Sequence, residues 1–92
     1  FDEDLLSHEQ LHFDITELYA RIFRKELAQL KVNSSIKSDL RALHEKINGS
    51  LAITQTTYDQ ESDHSINKAY QAKWNLYVKQ ELTKLEAYKS KD

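Results

Sequence analysis

The feature that most limits how this chain can fold is what it lacks for turning corners. The 92 residues contain no proline and a single glycine, Gly49. Those two residue types punctuate turns and strands, so their near-absence predicts long helices with few connections. Apolar spacing agrees. Leu5, Ile15, Tyr19 and Ile22 fall within about 100° of one another on a helical wheel, with Leu11 and Leu18 at the edge, which predicts a first helix from about residue 3 to 31. Asp2 and Asp4 suit its positive N-terminal end, and Arg21, Arg24, Lys25 and Lys31 suit its negative C-terminal end.

Val32-Asn33-Ser34-Ser35 is the first break, and Ser34 or Ser35 can cap the next helix. That helix is expected over about 36–60, with Ile36, Leu40, Leu43, Ile47, Leu51, Thr54 and Tyr58 on its inner face. Gly49 lies mid-pattern and implies close packing or a slight bend. The second break runs from Asp59 to Ser65. Asp63 or Ser65 can cap a third helix over about 66–88, with Ile66, Tyr70, Trp74, Tyr77, Val78, Leu82 and Leu85 as its stripe. Short turns make sequential helices antiparallel neighbours. The expectation is therefore an all-α, up-down-up bundle of three long helices, one small domain spanning 1–92.

Composition removes several function classes. Thirteen basic and fifteen acidic residues are interspersed, so no basic footprint for nucleic acid exists, and no polybasic membrane patch. No apolar run is long enough to span a bilayer. Without cysteine there is no disulfide framework and no thiolate site. Any metal must be held by histidines and carboxylates.

One short stretch carries chemistry: His8-Glu9-Gln10-Leu11-His12. Residues four apart stack on one helix face, so both imidazoles can reach one metal ion. Glu9 lies about 100° further round, where it can act as general base without being a ligand. Random placement of four His and eight Glu in this chain gives on the order of 0.01 such patterns. The histidines fall in the middle of the apolar stripe, which suits ligands and also suits plain core histidines. His44-Glu45-Lys46-Ile47-Asn48 resembles a second copy but lacks the second imidazole, and reads as surface.

A catalytic zinc takes three protein ligands and keeps one position open. In an up-down-up bundle, the end of the first helix that carries the motif lies beside the second break. His64 is thus a candidate third ligand, in competition with Asp59, Glu61 and Asp63. Tyr58 is a candidate oxyanion donor or a core tyrosine. Asp14 and Asp59 are candidate acceptors for the ligands' N–H groups.

The run Leu5 to Ile15, followed by Glu17-Leu18-Tyr19-Ala20-Arg21, resembles the bacterial family DUF922. So do Tyr58-Asp59, Asp63-His64-Ser65, Asn67, Gln71 and Trp74-Asn75, with Ser62 standing where threonine is expected and Ser65 where glycine is common. The resemblance covers nearly the whole chain. Its members are described as predicted secreted zinc-dependent proteases. It implies His8, His12 and His64 as ligands of Zn2+, Glu9 as general base, a peptide or protein substrate, and a secreted or periplasmic location. It also implies a β-rich segment upstream, which would make the intact protein α+β and this chain a fragment of a larger catalytic domain. The other readings are a helical interaction module without catalysis and a metal-binding domain without catalysis.

Overall fold

The computed structural model describes residues 3–91. Asp2, expected at the first N-terminus, lies outside them. Three helices make up the chain: α1 over Glu3–Gln29, α2 over Ile36–Ser62 and α3 over Lys68–Lys84, followed by a 3-10 turn, Glu86–Tyr88. No strand occurs among the described residues. The helices pack up-down-up into a body of 50 × 24 × 21 Å, whose long dimension is set by two 27-residue helices of about 40 Å each.

The all-α bundle expected from the sequence is thus what forms, and the first two helices keep their expected bounds to within two residues. The first connection is held by Asn33. Its Oδ1 accepts from Ser35 N at 2.9 Å and from Ser35 Oγ at 2.7 Å. Ser35 then stands at the N-cap of α2, but its side chain caps no helix N–H.

The second connection differs from expectation. Asp63 ends α2 instead of opening α3. Its N–H reaches back three residues to Gln60 O, at 3.3 Å, and the His64 N–H reaches back five to Asp59 O, at 3.1 Å. That bond pair is a left-handed helix cap. Asp63, His64 and Ser65 all have positive φ, at 48°, 52° and 83°, a conformation that costs a residue with a Cβ. The cap of α3 is Asn67, whose Oδ1 accepts from Tyr70 N at 3.1 Å. The helix begins two residues later than the spacing predicts, because Asn67 is the first side chain placed to take an orphan N–H.

The core is thin. Leu11, Ile15, Tyr58 and Val78 form its buried centre, with Tyr19, Leu51, Trp74 and Leu82 packed around them. In α3 the inner face is rotated from the expected stripe. Ile66, Tyr70 and Tyr77 are exposed, while Gln71 is buried beside Val78. A polar residue takes the place that apolar counting assigned to aromatics. Arg21 is buried too. It pairs with Glu17 at 2.7 Å and donates to Leu82 O at 2.7 Å, and Arg24 donates to Tyr88 O at 2.8 Å. These arginines serve carbonyls at the far end of α3, where orphan acceptors collect, and not the end of their own helix. Gly49 makes no close contact: an added Cβ there meets nothing within 4 Å. The expectation of close packing at Gly49 therefore fails.

Candidate metal centre

His8 and His12 lie one turn apart on the face of α1 that meets α2, with ring centroids 5.1 Å apart. His8 is 1% exposed. Its ring stacks on Tyr58 at 4.6 Å, and the His12 ring meets the same tyrosine at 4.8 Å in a T-shaped contact. Tyr58 thus forms the floor under both imidazoles.

Both Nε2 atoms point at one carboxylate oxygen. Asp59 Oδ1 is 2.8 Å from His8 Nε2 and 2.6 Å from His12 Nε2. Both Nδ1 atoms face side-chain amides instead. His8 Nδ1 is 2.9 Å from Gln71 Oε1, and His12 Nδ1 is 2.5 Å from Gln55 Oε1. The Gln55 amide is oriented by its own donations to His12 O at 3.0 Å and Thr16 Oγ1 at 3.1 Å. Each Nδ1 therefore carries a proton. With Nδ1–H on both rings, both Nε2 atoms are lone pairs aimed at a carboxylate. Three acceptors converge, and something positive must stand among them. Either both rings take a second proton and become cations side by side, or a metal cation fills the place. Two neutral imidazoles and a carboxylate are an ordinary donor set for zinc. The residues fit the group that the motif implies.

Burial by itself would raise the Asp59 carboxyl. When both rings carry the second proton, their hydrogen bonds and charge outweigh burial and hold the carboxyl below its ordinary value. Glu9 is exposed, and its carboxylate comes within 4.8 Å of a ring nitrogen of each of His8 and His12. His64 lies on the rim, 72% exposed, with Nδ1 3.9 Å from Asp59 Oδ1 and its ring 6.2 Å from that of His8. The left-handed cap accounts for that position: the His64 N–H bond to Asp59 O holds the two residues together across the end of α2. Ligand atoms of His8, Asp59 and His64 also lie within 4.8 Å of one another.

The other candidates separate cleanly. Glu61 accepts from Trp74 Nε1 at 2.9 Å and belongs to neither group of converging ligand atoms. Asp14 pairs with Gln10 at 3.2 Å and touches neither imidazole. Tyr58 is fully buried. Its hydroxyl donates to His8 O at 2.9 Å and accepts from Gln71 Nε2 at 2.7 Å, so the core role holds and no donor is left for an oxyanion. His44 is exposed, as expected. Gln55 and Gln71 escaped the sequence reading as site residues, because amides follow no ligand pattern. The available signal was Gln71 with Asn75 one turn later, a polar pair interrupting an apolar stripe.

A family model described as a bacterial protein of unknown function, DUF922, matches residues 1–65. The match takes in His8, Glu9, His12, Asp59 and His64. It stops short of Gln71 and Trp74, to which the sequence resemblance extended. No curated protein and no solved structure matches the chain.

Proposed function

The chain belongs to DUF922, and from the site it builds we propose that it is a zinc-dependent hydrolase, a peptidase in reaction class. The observation that carries this is the convergence of two imidazole lone pairs and the Asp59 carboxylate, with Glu9 beside them. His8 and His12 would hold the ion through Nε2. Asp59 would be the third ligand, with His64, the third ligand expected from the sequence, beside it at the rim. That leaves a side open toward solvent, where Glu9 and His64 stand.

Zinc, when bound, supplies Lewis acidity: it makes water a nucleophile near neutral pH and polarises a scissile carbonyl. Glu9 accepts the proton of the attacking water at its carboxylate and returns it to the leaving amine. His64 stands exposed at the rim, beside Asp59. Tyr58 holds the floor rigid, and burial of His8 keeps bulk water from competing at the rear of the site.

The test pairs zinc binding with hydrolysis of a mixed peptide library. Glu9→Gln should bind zinc within a few-fold of wild type and lose hydrolysis by at least about 100-fold. A Glu9→Gln chain that cleaves normally contradicts the proposal.

A second reading is favoured by the grouping of His8, Asp59 and His64 within 4.8 Å. If His64 joins the other three donors, the site closes with four protein ligands, as structural zinc sites do. Glu9 then has no role. His64→Ala separates the two: it loosens zinc strongly in a closed site and only slightly in an open one.

A further inference from the structure

His8 is tied to the third helix by one side chain, and the surrounding network decides which way round that side chain sits. Gln71 Nε2 donates to Tyr58 Oη at 2.7 Å and to Asn75 Oδ1 at 3.0 Å. Both protons of the amide nitrogen are thereby used. The Tyr58 hydroxyl spends its own proton on His8 O, so it can only accept from Gln71. What the amide has left for the ring is its oxygen, 2.9 Å from His8 Nδ1. An oxygen there accepts Nδ1–H and selects the tautomer whose lone pair is on Nε2.

We propose that Gln71 is a positioning residue, through which α3 sets the ligating tautomer of His8, so that the metal centre is complete only when α3 is docked. The inference rests on the reading of His8 as a ligand. Gln71 lies beyond the stretch that the family model matches, so the first 65 residues hold the ligands without the group that prepares one of them. The chain contains its own control. His12 takes its acceptor from Gln55 on α2, and Gln55 is oriented from α1, so the His12 tautomer does not depend on α3. Coupling is reciprocal: if docked α3 favours zinc, zinc favours docked α3.

The test uses 15N-labelled chain without metal, at mildly alkaline pH, where ring 15N shifts distinguish the two tautomers of each histidine. Wild type should show a proton on Nδ1 of His8, whether or not Nε2 also carries one toward Asp59. Gln71→Met keeps the length of the side chain and removes the acceptor; the Nε2–H form of His8 should then appear while His12 is unchanged. Gln71→Glu keeps an acceptor beside Nδ1, although it loses the two N–H groups given to Tyr58 and Asn75, and should keep the proton on Nδ1 of His8. Zinc affinity should fall by roughly 10- to 100-fold in Gln71→Met and by less in Gln71→Glu. Hydrogen exchange in α3 should slow on adding zinc to wild type.

A wild-type His8 with no proton on Nδ1 overturns the proposal. So does an unchanged His8 tautomer and zinc affinity in Gln71→Met. Should Gln71→Met fail to fold by circular dichroism, Gln71→Glu still decides: a His8 with no proton on Nδ1 there is equally fatal. Failure of every chain to bind zinc would refute the hydrolase reading, and the metal-free spectra would still decide the role of Gln71.

Discussion

The Tyr58 hydroxyl has no path to water, and burial pushes its pKa up to about 12. A raised pKa means that the folded state holds the proton more tightly than the unfolded one. The associated stability is whole below the ordinary value of 10.0 and is lost as pH rises from there to about 12. Two units correspond to about 3 kcal/mol. Followed at 295 nm, Tyr58 should be the last of the five tyrosines to ionise, together with unfolding. A Tyr58 that titrates near pH 10 in folded chain contradicts its place under the two imidazoles. Asp59 works in the opposite sense. Its carboxyl is lowered, so its contribution is present above the ordinary carboxylate pKa and lost as pH falls below it. Asp59→Asn keeps the shape and removes the charge. Zinc affinity in that variant should fall at least about 10-fold by calorimetry. The sequence made His8, Glu9 and His12 legible through spacing alone. Asp59 was visible only as one of several local carboxylates, because choosing among them requires knowing how the chain leaves α2.

That exit is a matter of elements. Helical periodicity predicted three helices and their order, since the spacing of Leu11, Ile15, Leu43 and Ile47 leaves little choice. The α2–α3 connection was misread because Asp63 and Ser65 look like N-caps. Nothing in their identity announces three consecutive left-handed residues that finish the preceding helix instead. Ser65 has φ 83° and is nearly buried. Ser65→Gly relieves backbone strain and should raise stability by about 1 kcal/mol in denaturant melts. A lower midpoint would show that the Ser65 side chain matters more than its backbone. Gly49 is the complementary case, a helix-interior glycine with open space around it. Gly49→Ala should add about 1 kcal/mol, a rise in melting temperature of roughly 4–8 °C for a domain of this size. The face of α3 was misassigned for a different reason. Periodicity counts apolar residues, and this helix turns Gln71 inward to meet His8 and Tyr58.

At the scale of the molecule, polar contacts join all three helices at one end of the bundle and tie α1 to the end of α3 at the other. One end carries His8, His12, Asp59 and Gln71, drawn from all three helices. The other carries Arg21 and Arg24, which reach from α1 to the carbonyls of Leu82 and Tyr88. The apolar centre between them is small, so removing either end should cost a large share of the total stability. Arg21→Met should lower the melting temperature without changing zinc affinity, because the two ends share no side chain. No helix among the described residues is long and apolar enough to cross a membrane. A metal bound at the first end would tie α1 to α2. Zinc at 100 times its dissociation constant adds about 2.7 kcal/mol to a folded state that alone binds it.

The most direct test of the central claim is an equilibrium zinc titration of the metal-free chain by competition with a chromophoric chelator, run beside His12→Ala. The account predicts one zinc per chain, held with at least micromolar affinity. The affinity should weaken as pH falls and protons compete for the imidazole lone pairs, and His12→Ala should abolish it. A wild-type chain that binds no zinc, or binds it as well as His12→Ala does, would mean that the converging acceptors are filled by protons and that this end of the bundle is only a core.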